Sequence, residues 1–268
     1  PVESRYFCLK VSDVAADPAR PARALAIDHL VHGISARDAP TVMFTDHAAM
    51  LDALARIRAP RPAFSSFHIG GGNYALPRAF AARGLTEITV AEIDPAVTAL
   101  AAQDFWFDPQ TAEILHADAR RALARDARRW DVIVGDAFTD TAVPQHLVTV
   151  EFFQLVADRL ERDGVFLMNV IDYADRLDAV AAVARTLAEV FDVVEIWTEA
   201  RRPAPGERVV MVLAAGTAPS PVDSFTTAAP ERTTFAALGD RFVAQLVARG
   251  TRLTDDYAPI DRLVGARD

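Results

Sequence analysis

Acidic side chains follow several predicted strands in the middle of the chain, where carboxylates can bind or deprotonate a ligand. Glu92, Asp118, Asp136 and Asp172 each come at or just beyond the end of a short apolar segment. In open parallel sheets, ligands bind outside the carboxyl ends of the strands. A carboxylate there can accept hydrogen bonds or take a proton as a general base. For each acid the alternative is a helix cap, a position that Asp favours.

A glycine-rich turn precedes the first of these acids. Residues Gly70–Gly72 follow the predicted strand 64–69, and a helix over 75–83 comes next. Glycine lets the backbone turn tightly and approach a ligand, and a helix N-terminus offers free N–H groups. Glu92 lies 20 residues after Gly72, the spacing at which nucleotide-binding α/β folds place a carboxylate on ribose. The turn therefore predicts a nucleotide site, with a tight turn in some other α/β protein as the alternative.

The position of each acid suggests a separate role. Glu92 is predicted to hold ribose hydroxyls, and Asp118, with the backbone of Ala119, to accept a hydrogen bond from an adenine amino group. Asp136 borders the predicted substrate cleft, and Asp172 is predicted to line its far side. A long connection follows Asp136, and long ordered loops are often lids.

Strands and helices alternate from residue 63 to about residue 215. The predicted strands are 64–69, 86–91, 112–115, 131–134, 164–170, 192–197 and 207–214, and the predicted helices between them are 75–83, 95–103, 149–161 and 174–189, with a further short helix between Asp118 and Asp126. Helical crossovers predict a parallel sheet covered on both faces, and the short turn 203–206 predicts an antiparallel last pair. The fold class is therefore α/β, a Rossmann-like seven-stranded sheet typical of adenosylmethionine-dependent enzymes.

The two ends of the chain differ from this core. Residues 1–35 predict a small β-hairpin or meander, and an amphipathic helix over 41–57 connects it to the core. We therefore predict an N-terminal lobe over 1–58 and a catalytic domain over 59–268. Residues 216–230 predict a loop and residues 231–248 a helix.

Composition limits the class of partner. The 268 residues carry a net charge of −9, which disfavours nucleic acid and anionic membranes and suits a cationic substrate. The single cysteine, Cys8, excludes an internal disulfide, and the Cys and His spacing predicts no metal site. Because no apolar run of about 18 residues occurs, we predict a cytoplasmic protein. The chain begins at Pro1, which leaves open a missing upstream segment.

Motifs along nearly the whole chain resemble the polyamine aminopropyltransferase (spermidine synthase) family. In particular, they resemble its bacterial spermidine synthase-like branch, whose members are often fused behind membrane segments. The matching segments occur in the family's order at 25–32, 68–74, 90–97, 117–119, 135–138, 143–153 and 253–259.

The resemblance implies a small N-terminal β-domain on a Rossmann-like methyltransferase core, assembled as a homodimer. It implies transfer of an aminopropyl group from decarboxylated S-adenosylmethionine to a small amine, with release of methylthioadenosine. Asp136 matches the family's acid that orients the amine and accepts its proton. Glu92 matches the ribose ligand, and Asp118 with Ala119 matches the adenine contact. Gly70, Gly72 and Asn73 complete the predicted donor site, and no metal is expected.

The chain departs from the family pattern mainly in the residues that bind the acceptor. His32, Asp46 and Asp140 occupy or adjoin positions where the family has Gln, Tyr and a second Asp, and with Asp172 and Tyr257 they form the predicted substrate-binding set. Asn73 replaces an Asp that binds the donor's amine, a loss that favours ordinary S-adenosylmethionine. The alternatives are therefore another S-adenosylmethionine-dependent enzyme, either a methyltransferase or a sulfonium-cleaving enzyme, and a non-catalytic nucleoside-binding module.

Overall fold

The computed structural model describes residues 2–28, 30–137 and 143–265. The strands are β1 Val2–Glu3, β2 Cys8–Asp13, β3 Ala22–Ile27, β4 Leu30–Ala36, β5 Ser66–Ile69, β6 Ile88–Ala91, β7 Glu113–Leu115, β8 Trp130–Gly135, β9 Leu160–Tyr173, β10 Val193–Glu199, β11 Arg208–Gly216, β12 Ser224–Thr227 and β13 Thr233–Ala237. The helices are α1 Asp46–Arg58, α2 Ala75–Ala82, α3 Pro95–Asp104, α4 Ala119–Arg125, α5 Val150–Arg159, α6 Asp178–Leu187, α7 Asp240–Arg249 and α8 Ile260–Val264.

The main sheet confirms the predicted fold class. Within the described ranges its strand order is β12-β13-β10-β11-β9-β8-β5-β6-β7. Strands β7, β6, β5, β8 and β9 run parallel, and β11 is antiparallel to both of its neighbours. Strands β5, β6 and β8 are buried along their whole length, as expected for parallel strands covered on both faces. Their carboxyl ends therefore meet at one edge.

Two apolar clusters cover the faces of this sheet. One cluster contains apolar side chains of α5, α6 and α7, and the other contains side chains of α1, α2 and α3. Strands β1 to β4 form a separate antiparallel sheet, which confirms the predicted N-terminal β structure. Its residues Leu9, Leu25 and Ile27 join the second cluster, so the small sheet packs on the core. The boundary at residues 58 and 59 stays a prediction.

The predictions for residues 216–248 are wrong in part. The predicted loop contains β12, and the first residues of the predicted helix form β13, so that α7 begins only at Asp240. The run Thr233-Thr234-Phe235 favours a strand because β-branched and aromatic residues pack well on a sheet. Phe235 is fully buried, and its ring lies 5.5 Å from that of Phe225. The sheet therefore extends two strands beyond the predicted seven.

No helix in the part of the chain that the structure describes is both long and apolar enough to span a membrane.

His68 on β5 is a buried core residue. Its side chain packs against the ring of Phe80, and Nε2 lies 3.1 Å from the hydroxyl oxygen of Ser66. Burial lowers the pKa of His68 to about 3. The folded protein therefore holds this imidazole neutral, whereas the unfolded chain protonates it near pH 6.5.

We expect His68 to make stability fall with acidification. Between pH 6.5 and about 3 the unfolded state binds one more proton than the folded state, so the free energy of unfolding decreases by up to ~1.4 kcal/mol per pH unit from this group. The free energy of unfolding can be measured by urea denaturation at several pH values from 7.5 to 4. Plotted against pH, it should have a smaller slope for His68→Gln than for the wild type. Equal slopes in the two proteins would contradict the assignment.

Asp172 near the end of β9 stabilises the start of α6. Its carboxylate is fully buried and accepts hydrogen bonds from the backbone N–H groups of Tyr173 at 2.7 Å and Val180 at 3.0 Å. Burial raises the pKa of this carboxyl, and the backbone donors partly offset that effect. The side chain thus has the capping role that was the alternative to lining the far side of the cleft.

We expect Asp172→Ala to lower the free energy of unfolding by ~1–3 kcal/mol, since it leaves buried backbone donors without an acceptor. Asp192→Ala, at an exposed position before β10, is the matched control and should change stability little. Urea denaturation checks both variants. Unchanged stability of Asp172→Ala with weakened ligand binding would restore the predicted role at the cleft.

Candidate active site

The glycine turn after β5 forms the centre of the site. Gly70 and Gly72 have positive φ angles of 91° and 52°, a region that side chains disfavour. A Cβ atom on Gly70 would lie 2.9 Å from the carbonyl oxygen of Asp136. The absence of a side chain therefore lets the turn lie directly against the segment that follows β8.

Glu92, just beyond β6, is fixed by the same turn. One carboxylate oxygen accepts from the N–H of Gly71 at 2.8 Å, and the other accepts from the N–H of Asp94 at 2.9 Å. Glu92 is 5% exposed; burial raises its pKa, and the backbone donors work against that rise. A carboxylate has about four lone-pair sites, so Glu92 retains acceptor capacity for ligand hydroxyls.

A cavity of about 300 Å³ lies above the ends of β5, β6 and β8, and we call it the Glu92 cavity. Among the residues that line it are the predicted donor-site residues Gly70, Gly72, Glu92, Asp118, Ala119 and Asp136. The structure therefore brings together the predicted nucleoside ligands and the predicted base. Apolar side chains such as Ile69, Ile93 and Leu147 form much of the remaining wall, as is usual for small-molecule sites.

Asp118 has the helix-capping role that was the alternative, but only through one of its two oxygens. One oxygen accepts from the N–H of Arg121 at 2.9 Å and so caps α4, while the other lies 2.6 Å from Nε2 of His146. Asp118 and His146 both line the Glu92 cavity. The sequence motif around His146 matched the family, but no role was predicted for that imidazole.

Asp136 lies directly after β8 and is held by residues that were not predicted. Its Oδ1 accepts from the side-chain amide of Asn169 at 2.9 Å, and its Oδ2 lies 4.0 Å from Nε2 of His47. Asn169 belongs to the neighbouring strand β9, and His47 is the second residue of α1. Only the register of β9 against β8 brings Asn169 to this position, and hydrophobic patterning does not reveal it.

Asn73 is buried between the glycine turn and the N-terminal sheet. Its side-chain amide donates to the Ser35 hydroxyl at 3.0 Å, and its amide oxygen accepts from the N–H of Ala75 at 3.4 Å. Any Cβ atom on Gly33 would collide with the Asn73 side chain. Asn73 lines a second, small pocket with His32, His47 and Asp136, and we call it the histidine pocket. His32 and Asp136 also line the Glu92 cavity, so the two spaces adjoin.

The other predicted substrate-binding residues lie apart from this group. Asp46, the first residue of α1, lines a different cavity of about 290 Å³. Tyr257 is 61% exposed, and its backbone pairs with that of Thr254. Asp172 is buried beneath α6, as described above, and Asp140 lies outside the described residues. Within the described ranges, no cluster of three or more His, Cys, Asp or Glu side chains is arranged to hold a metal ion.

Comparison with known proteins gives partial sequence matches. No family model matches the chain. A probable polyamine aminopropyl transferase of Bifidobacterium longum is 32% identical over 105 residues, which are 39% of this chain and 23% of that protein. The polyamine aminopropyltransferase of Vibrio vulnificus is 30% identical over 148 residues, 53% of this chain and 48% of that protein. The chain thus spans less than half the length of these curated relatives.

One further sequence relative has a different activity in its name. The N-terminal histidine N-methyltransferase of Emericella nidulans is 33% identical over 146 residues, 52% of this chain and 25% of that protein.

Among solved structures, a probable spermidine synthase from Corynebacterium glutamicum superimposes with a TM-score of 0.79 at 19% identity, covering 96% of each chain. This similarity shows that the two chains share a fold. The two aminopropyltransferase relatives are similar to this chain in amino-acid sequence as well. They confirm the predicted resemblance of this chain to the polyamine aminopropyltransferase family.

Proposed function

We propose that the protein transfers an aminopropyl group from decarboxylated S-adenosylmethionine to an amine and releases methylthioadenosine. The observation that carries the proposal is the position of Asp136. Its carboxylate lies where the Glu92 cavity meets the histidine pocket, so it can face both a nucleoside-bound sulfonium and an incoming amine. The polyamine aminopropyltransferase relatives support this reaction class.

In this proposal the Glu92 cavity binds the methylthioadenosine part of the donor. Glu92 accepts hydrogen bonds from the ribose hydroxyls, and the glycine turn gives the ribose close access to the backbone. Asp118 with the Ala119 backbone contacts the adenine edge. When adenine binds, His146 must then either release the carboxylate oxygen of Asp118 or share that oxygen with the adenine amino group.

The reaction needs an uncharged amine as nucleophile. Asp136 accepts a proton from the acceptor's ammonium group, and the freed nitrogen attacks the aminopropyl carbon next to sulfur. The new N–C bond forms as the C–S bond breaks, and sulfur keeps the bonding electron pair and becomes a neutral thioether. The hydrogen bond from Asn169 fixes one oxygen of Asp136 and leaves the other for the proton.

We expect Asp136→Asn to lower kcat by roughly 10²–10⁴-fold, the usual contribution of a general base. The measurement is methylthioadenosine formation from decarboxylated S-adenosylmethionine with a panel of amines. Asp163→Asn is the matched control, because Asp163 is exposed near the start of β9, and it should retain wild-type kcat. Unchanged turnover in Asp136→Asn would contradict the proposed role.

A second candidate is a reaction of ordinary S-adenosylmethionine, such as methyl transfer. The observation that favours it is the neutral Asn73, because a carboxylate at this position would repel the carboxylate of that donor. The histidine N-methyltransferase relative is consistent with this candidate. Formation of S-adenosylhomocysteine in place of methylthioadenosine would identify it.

Asn73→Asp should separate the two donors. The added charge should shift the ratio of dissociation constants toward decarboxylated S-adenosylmethionine by about tenfold, or ~1.4 kcal/mol. The Ser35 hydroxyl can rotate to donate to the new carboxylate, so the fold should be retained. Calorimetric titration with each donor measures the ratio, and Asn73→Ser is the uncharged control. An unchanged ratio would place Asn73 away from the donor's amino acid end, and no binding of either donor to wild type would favour a non-catalytic module.

A further inference from the structure

The cavity that contains Asp46 lies on the same edge of the sheet as Asp136. Its walls include Ala174 after β9, Glu199 at the end of β10, and Arg208 at the start of β11. Strand β9 is parallel to β8, and β11 is antiparallel to β9. These three positions therefore share the edge at which β8 ends in Asp136. We call this space the Arg208 cavity.

Arg208 is a cation with two buried donor nitrogens that the described residues leave without an acceptor. Its Nε and Nη2 atoms are buried, and no acceptor among the described residues lies within hydrogen-bond distance of either. The guanidinium carbon lies 5.9 Å from the centre of the Tyr173 ring, which is a cation–π contact and not a hydrogen bond. Buried guanidinium donors are costly unless they meet an anion. The cavity wall is therefore incomplete without a negatively charged group.

Other arginines nearby show the usual arrangement. Arg201, which lines the same cavity, forms ion pairs with Glu199 and Glu207. Arg58 is buried, pairs with Glu195 at 2.8 Å and donates to the carbonyl of Ala218. Both arginines have carboxylate partners, so the missing acceptors distinguish Arg208 from its neighbours.

Carboxylates on the same walls can bind a positive group. Asp46 and Glu199 both line the cavity. The pKa of Asp46 is raised, first by its partial removal from water and then by the charge of Glu199. Arg201, which pairs with Glu199, offsets this effect only in part, so an ammonium group placed near Asp46 would reduce the remaining repulsion. The cavity therefore offers one site for an anion and one for a cation.

Asp46 and His47 connect this cavity to the proposed base. They are consecutive residues at the start of α1, so their Cα atoms are ~3.8 Å apart. The imidazole of His47 reaches to 4.0 Å from Asp136, while Asp46 lines the Arg208 cavity. The start of α1 therefore borders both the Arg208 cavity and the surroundings of Asp136.

Resting on the proposed transfer reaction, we propose that the acceptor is a diamino acid whose carboxylate binds Arg208. Its α-ammonium group binds near Asp46 and Glu199, and its side-chain amine is the nucleophile at Asp136. A diamine without a carboxylate would place a positive charge near the two acids but would leave the two buried nitrogens of Arg208 without an acceptor. The site thus selects against the polyamine precursors that lack a carboxylate.

The test compares acceptors that differ only in the carboxylate. L-ornithine is 1,4-diaminobutane with a carboxylate on the carbon that bears one of the two amines. With decarboxylated S-adenosylmethionine as donor, methylthioadenosine formation should show a kcat/KM for L-ornithine at least about tenfold above that for 1,4-diaminobutane, as a charge-assisted bidentate contact allows. In Arg208→Met this ratio should fall to about one, and Arg208→Lys should retain part of it.

Arg202→Met is the matched control, because Arg202 is exposed and is not part of the cavity wall, and it should keep the wild-type ratio. Thermal unfolding of Arg208→Met should occur no lower than for wild type, since the two buried nitrogens make no hydrogen bond with the described residues that the variant would lose. A lower unfolding temperature together with an unchanged ratio would make Arg208 a structural residue and overturn the inference.

Further outcomes separate this inference from the proposed reaction. Turnover of 1,4-diaminobutane without preference for L-ornithine would support the reaction and overturn the inference. If neither acceptor yields methylthioadenosine, the proposed reaction fails, and calorimetric titration of both acceptors in the presence of methylthioadenosine decides the inference. Tighter binding of L-ornithine that is lost in Arg208→Met would support it, and equal binding of the two would overturn it.

Discussion

The close approach of the Gly70 turn to the backbone of Asp136 is the contact on which the rest of the site depends. It brings the loop after β5 against the loop after β8, and the same turn supplies the N–H group that fixes Glu92. The Glu92 cavity, the proposed base and the carboxylate proposed to bind ribose are therefore set by one stretch of backbone. Because the turn has positive φ angles at Gly70 and Gly72, glycine is the residue type that builds it at least cost.

Much of this arrangement was predictable because it follows from local patterns. Buried strands, a glycine turn and an acid at a fixed spacing are encoded by contiguous residues, and the rule that parallel strands end at one edge places Glu92, Asp118 and Asp136 together. The same reasoning could not supply His47 or Asn169. Their contacts with Asp136 depend on how α1 docks on the sheet and on the register of β9, which are properties of the whole fold.

The errors in prediction have physical causes of the same kind. Residues 216–237 contain many small and polar residues, and the apolar anchor of their strands is Phe225, whose ring packs against the rings of Trp197 and Phe235. Asp172 shows the opposite case, in which a well-placed acid is used by the backbone. Both oxygens of Glu92 also accept from backbone N–H groups, but Glu92 lines the Glu92 cavity, whereas Asp172 is fully buried and is not among the residues that line it. In Asp118 one oxygen caps α4 and the other lies beside His146.

Asn73 has a consequence for how this site can change during evolution. Its side chain fills the space that Gly33 leaves and pairs with Ser35 on the small sheet, so the residue proposed to set the choice of donor also packs the small sheet on the core. Any side chain at position 33 collides with the present one at position 73. Positions 33, 35 and 73 should therefore vary together among related sequences, and a branch that adopts a different donor would carry its signature in the N-terminal sheet as well as in the glycine turn.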